Sequence, residues 1–168
     1  TLENPLQVRV KEHLHSLGAA NKTTAKYYKQ THDVNINFAE DYTSPTLEVE
    51  SCYDGSSDVG CVIKNASDTI FEVNNGTITN TQVVSFDSRN LSKDNIAGFV
   101  MENNGVIKNC SVGSINGENN EDNIVIQGTN AYGFVAINSN QISNCYAVGI
   151  VIGTEEAAGF VGSNGKRH

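Results

Sequence analysis

The sequence predicts an all-β chain wound as a parallel β-helix, a solenoid, with a short α-helical cap at its N-terminus. Three observations lead there. One phrase is written three times: AGFVMENNGVIKNCSV at 97–112, YGFVAINSNQISNCYAV at 132–148 and AGFVGSNG at 158–165. The steps between equivalent positions Ile70, Phe99, Phe134 and Phe160 are uneven, at 29, 35 and 26 residues. A helical repeat does not tolerate that, because one extra residue rotates its apolar face; a wound strand does, since extra residues leave as a loop at a corner. Finally, Asn is the commonest residue, Gly is plentiful, Pro occurs twice and Trp not at all. Such a composition suits short strands joined by tight turns and suits long helices poorly.

Taken in order, PLQVRVKEHLHSLGAA places Val10, Leu14 and Leu17 at helical spacing, with Gly18 as a stop. A short amphipathic helix there would cover the exposed first coil, so residues 1–26 form a cap ahead of a solenoid at 27–168. KYYKQTHDVNINF alternates as a strand, and Asp54-Gly55 and Gly60 mark turns. From there the repeat aligns Ile78, Ile107 and Ile142; Asn80, Asn109 and Asn144; Thr81, Cys110 and Cys145; Val83, Val112 and Ala147; and Phe86, Ile115 and Ile150. Each repeat has a half of constant length and a variable half, the latter being DSRNLSKDNIAG, NGENNEDNIVIQGTNAYG and VIGTEEAAG. A period of this length with registered apolar positions predicts stacked coils about 4.8 Å apart, with like residues in ladders. The Asn80, Asn109 and Asn144 ladder is expected at a left-handed turn, each amide bonding to the next coil. The last coil has no successor, so it is expected to continue in a longer chain or to meet another molecule.

These phrases resemble the GLUG repeat of bacterial surface proteins, G-hydrophobic-V-G-x-N-x-G-x-I-x-N-C-Y-x-x-G. The upstream run YYKQTHDVNIN, YDGSSDVGCVIKN and IFEVNNGTITNT is similar to the leading segment of that family. The likeness covers residues 27–165. It departs at Met101 and Ala136, which replace the Gly after FV, and at Asn140, which replaces Gly. It implies a right-handed β-helix in large secreted or cell-surface proteins, either adhesin-like fibres or the non-catalytic region of IgA-protease-type metallopeptidases. It implies no catalytic residues, because the repeat is a scaffold motif.

The formal net charge of −8 argues against nucleic acid and anionic lipid as partners. No apolar run approaches the ~18 residues that cross a bilayer. His13 and His15, two apart on a helix, point to different sides and do not share a metal ion, and HExxH is absent. Glu118, Glu121 and Asp122 gather oxygen ligands in a loop without EF-hand spacing, as Asp54 and Asp58 do near one turn; solvated charge is the plainer reading of both. Beside the Ile ladder, the outward positions Thr79, Lys108 and Ser143 supply no acid, so the paired carboxylates of a polysaccharide lyase or hydrolase are missing there. Thr77, Thr79 and Thr81 do not continue into the next coils, which removes an ice-binding array. Without a CxxC pair there is no zinc signature. Cys52 and Cys61 flank a turn that a disulfide could close, while Cys110 and Cys145 fit a stack of buried thiols better than a bond.

The expectation is therefore a non-catalytic, adhesin-like, extracellular or cell-surface module with no cofactor. It would present a binding surface to a protein or glycan of the host or cell surface. Contacts would lie on outer strand faces, on the loop 117–130 with Glu118, Glu121 and Asp122, and on the exposed aromatics Tyr132 and Tyr146. The alternatives are the substrate-docking region of a larger secreted peptidase and a carbohydrate-binding β-helix.

Overall fold

The computed structural model describes residues 1–17, 26–39, 41–115 and 123–165. The elements run β1 (Leu6–Val8), α1 (Lys11–His15), β2 (Tyr27–Gln30), β3 (Val34–Asn35), β4 (Thr46–Leu47), β5 (Cys52–Asp54), a 3-10 turn (Ser57–Val59), β6 (Ile63–Lys64), β7 (Phe71–Asn74), β8 (Thr77–Thr79), β9 (Gln82–Val83) and β10 (Phe86–Asp87). They continue with β11 (Asn95–Ala97), β12 (Val100–Asn103), β13 (Val106–Lys108), β14 (Ser111–Val112), β15 (Ile124–Tyr132), β16 (Val135–Asn138), β17 (Gln141–Ser143), β18 (Tyr146–Ala147), β19 (Ile150–Ala158) and β20 (Val161–Asn164). Short β-branched runs broken by Gly and Asn give these short strands.

The described elements are strands apart from α1 and the 3-10 turn, and every described strand pair is parallel. Six strands form the first sheet, in the order β1-β2-β5-β8-β13-β17. The second is β3-β6-β9-β14-β18, the third β4-β7-β12-β16-β20, and in the fourth β10, β11 and β19 all pair with β15. Successive repeats thus contribute successive strands, in register: Ile78 lies opposite Ile107 and Ile107 opposite Ile142. Val83, Val112 and Ala147 are likewise registered.

The aromatic ladder holds with one change. Phe99 stacks on Phe134 with ring centroids 5.0 Å apart, and Phe134 on Phe160 at 4.9 Å. Above Phe99 it is Phe71, one residue beyond Ile70, that supplies the ring, edge-on at 5.8 Å, and Tyr53 continues at 5.4 Å. Ile70 is fully buried beside them. Such ring pairs add about 0.5–1.5 kcal/mol each beyond the area they bury.

Asn80, Asn109 and Asn144 sit at φ of 48°, 55° and 54°, the left-handed turn expected of them. Asn109 Nδ2 donates to Asn80 Oδ1 at 3.3 Å, and Asn144 Nδ2 to Asn109 Oδ1 at 3.2 Å. A second asparagine ladder runs through the interior along Asn74, Asn103 and Asn138 and ends at the exposed Asn164, with Nδ2-to-Oδ1 bonds of 2.8, 2.7 and 2.7 Å. The Oδ1 atoms of Asn74 and Asn103 also accept the amides of Gly76 and Gly105. The second amide hydrogens go to the carbonyls of Val106 and Gln141. Buried amides at this density are tolerable only because each is paired.

Three expectations need correction. Ile115 is not in the Phe86 ladder: it is 71% exposed, Ile124 lies opposite Phe86, and Ile150 lies opposite Val125. The inserted residues precede that ladder position rather than following it. The supposed loop 117–130 is strand from Ile124 onward, because IVIQGTNAY carries the β-branched run that pairs with β10, β11 and β19. At the N-terminus the helical pattern yields to a strand over Leu6–Val8, paired with β2, and the helix is confined to Lys11–His15. Leu14 and Leu17 are buried in the core as the spacing predicts, whereas Val10 is exposed. Gly18 lies outside the described residues.

Candidate functional site

The residues proposed from sequence do not converge. Tyr132, at the end of β15, is packed among Ala97, Ala136 and Met101 rather than exposed, which corrects its reading as a surface aromatic. Burial and the neighbouring Glu156 carboxylate push its phenol up. Tyr146, on β18, is half-buried in a different sheet and borders a shallow hollow with Gln82, Asn109, Cys110 and Asn144. Glu118, Glu121 and Asp122 lie outside the described residues. His13 and His15 serve the backbone separately: the Nδ1 atoms accept the amides of Arg9 at 3.3 Å and Thr43 at 3.1 Å. Among the described residues no group of three His, Cys, Asp or Glu side chains is placed to hold a metal ion.

A cleft forms elsewhere, where two irregular segments rise beside the third sheet. Between β10 and β11, which both pair with β15, the chain leaves the sheet and supplies Leu91, Lys93 and Asp94. Opposite stand Ala39 and the segment from Tyr42 to Ser44. It is pinned by Tyr42 Oη donating to the Ile70 carbonyl at 2.7 Å and by Ser44 Oγ donating to the Thr69 carbonyl. Burial pushes the Tyr42 phenol far up, so it stays a donor. The resulting cleft holds about 620 Å³, with Asp68, Thr69, Glu72 and Met101 on its floor.

Comparison with family models, curated proteins and solved structures finds no match to this chain.

Within the cleft, Lys93 Nζ lies 2.7 Å from Asp68 Oδ2, and Asp68 Oδ1 accepts the Thr69 amide at 2.8 Å. The arrangement offers a fixed carboxylate–ammonium pair, the further carboxylates of Glu72 and Asp94, and the apolar patch of Met101 and Leu91. Such a mixture hydrogen-bonds hydroxyl groups and packs against a sugar ring or a methylene stem. Sequence reasoning placed Leu91, Lys93 and Asp94 in a variable half of the repeat and passed over them, together with Asp68 and Glu72 upstream. The available signal was a charged insertion, SRNLSKD, present in one repeat alone.

All four cysteines are free thiols. Cys110 and Cys145 occupy one ladder, and the Cys110 amide donates to Cys145 Sγ at 3.4 Å. The Cys110 thiol is buried and pushed far up. Cys145 is pulled down to about 7, chiefly because Cys110 donates to its sulfur and also through backbone donors. Cys52 and Cys61, whose thiols burial pushes up, remain unbonded on either side of their turn.

Proposed function

We propose that the chain is a non-catalytic, adhesin-like module of the GLUG type, a right-handed parallel β-helix displayed at a cell surface or secreted. Its role is to hold a binding surface for a protein or glycan on a rigid scaffold. The observation that carries this reading is the set of registered ladders, aromatic, aliphatic and asparagine, which run through successive repeats without interruption. The recurring residues are spent on stacking one layer on the next, as a repeat scaffold requires. Irregular segments that differ between repeats form the outer relief, including the 620 Å³ cleft.

The test is retention: immobilised protein is challenged with a glycan array and with intact cells. Saturable retention of a glycan or a cell-surface protein is expected, without turnover of the ligand. Turnover, or no retention by any of them, sinks the reading. A second reading, carbohydrate binding in the cleft, is favoured by the Asp68–Lys93 pair beside Met101. Under it, Asp68→Asn with Lys93→Met abolishes glycan retention, while retention on outer strand faces survives both changes.

A further inference from the structure

The cleft beside the third sheet is unbalanced in charge. Its lining carries three carboxylates, Asp68, Glu72 and Asp94, against one ammonium, Lys93. Lys93 is spent on Asp68 at 2.7 Å. The carboxylates of Glu72 and Asp94 have no ion-pair or hydrogen-bond partner among the described residues. Two negative charges therefore border one hollow unanswered, and a concave wall of low polarisability focuses their field on whatever enters.

The surrounding strands hold this arrangement before any ligand arrives. Glu72 and Met101 lie side by side on β7 and β12, because Phe71 is opposite Val100 and Val73 opposite Glu102. Phe71 and Val100 are buried, so strand alternation turns Glu72 and Met101 outward onto the cleft floor. Met101 in turn packs against Ala97, Tyr132 and Ala136. On the opposite wall the Lys93 and Asp94 carbonyls accept the amides of Thr129 at 3.0 Å and Asn130 at 2.7 Å, which fixes that backbone to β15. A site assembled in advance loses less free energy on binding.

We infer that the cleft takes a cationic amino sugar, a glycan whose hexosamine rings carry free, protonated amines, with the amine drawn to Glu72 and Asp94 and a ring face on Met101. The inference rests on the reading of the cleft as a carbohydrate site and names the class of glycan. Charge selects among sugars: an acidic sugar would meet like charge, and a neutral one would leave the excess unanswered. The rim selects a sugar over a bare alkylammonium. Asn95 Oδ1 accepts from Asn130 Nδ2 at 3.1 Å, so Asn95 presents donors to the cleft, and Thr43 adds an exposed hydroxyl. A lysine tip has donors alone and would use only the carboxylates, whereas sugar hydroxyls both donate and accept. The volume of about 620 Å³ also lies within the roughly 300–1,000 Å³ of small-molecule sites.

The test is calorimetric titration of the whole chain with three tetrasaccharides of one linkage: glucosamine, N-acetylglucosamine and glucose. Slightly acidic, low-salt buffer keeps the sugar amines charged and the carboxylates ionised. The glucosamine form should bind about tenfold more tightly than the other two, and added salt should shrink that margin. Glu72→Gln with Asp94→Asn should bring the three within about twofold of one another, at unchanged Tm because both side chains are exposed. Asp58→Asn, on the 3-10 turn outside the cleft, should leave the margin intact and so controls for overall charge. Equal or tighter binding of the acetylated or neutral form overturns the inference and leaves the carbohydrate reading standing. A margin that survives the double variant, or falls equally with Asp58→Asn, overturns it too. So does tetralysine binding more tightly than the glucosamine form, since the occupant is then a polypeptide. If none of the three sugars binds, the carbohydrate reading itself fails and the inference with it.

Discussion

Asparagine does two different jobs in this chain, and they respond to mutation differently. Asn109 holds a left-handed turn with its side chain in solvent. Asn109→Gly should cost no more than about 0.5 kcal/mol, because Gly enters that region freely, whereas Asn109→Val should cost about 1–2 kcal/mol. Asn103 is fully buried and bonds to Asn74, Asn138 and the Gly105 amide. Asn103→Leu leaves those groups unpaired in the core and should cost about 3 kcal/mol, or roughly 10 °C in Tm, read by thermal unfolding. The turn ladder was legible in the sequence, since only a few residues tolerate that backbone. The buried ladder was written with the same periodicity but passed unread, because a polar letter at a core position looks like a surface one until its partners are known. Cys145 offers a titration at this scale. Its folded value of about 7 lies below that of an ordinary thiol, so its contribution to stability grows as pH rises from 7 towards 9 and is lost as pH falls through 7. Alkylation by iodoacetamide should show a midpoint near pH 7 at Cys145. Cys110→Ala removes the donor and should move that midpoint upward.

At the level of elements, glycines record how closely the layers approach. A Cβ on Gly133 would overlap the carbonyl oxygen of Gly159, and one on Gly105 would overlap that of Gly76, so neighbouring backbones would have to part. The same Cβ on Gly159 meets nothing within 4 Å. Gly133→Ala should therefore cost about 2–3 kcal/mol in a urea titration, and Gly159→Ala should lie within about 0.5 kcal/mol of the parent. Equal effects would contradict the packing. Strand pairing explains what the sequence left obscure here. The repeat phrase gave the first three sheets, because the fixed half of each repeat forms them. The fourth hides in the variable half, where β15 and β19 are nine residues each and differ in their surroundings. Counting a constant interval from Phe99 landed on Ile115, when the insertion had displaced the ladder position to Ile124. The cleft was equally out of reach, since it exists only where β10 and β11 share one partner strand and release the chain between them.

Across the whole molecule, one aromatic column connects Tyr53, Phe71, Phe99, Phe134 and Phe160. Removing an inner ring should affect every layer, and removing the last should not. Phe134→Ala is expected to cost about 3–5 kcal/mol, and Phe160→Ala, at a ring already 36% exposed, about 1–2 kcal/mol. Chemical denaturation of the two variants decides the matter, and a Phe160 effect as large as that of Phe134 would refute the order of burial.

The order of the layers along the chain also has a temporal meaning. Synthesis proceeds from the N-terminus, so the layer that α1 packs on leaves the ribosome before the layers that stack on it. Every later described strand finds its neighbour already made, some 20 to 38 residues behind it, as Ile63 precedes Val83 and Phe86 precedes Ile124. Assembly can thus advance like a zip closed from one end, with the nascent segment always templated by finished structure.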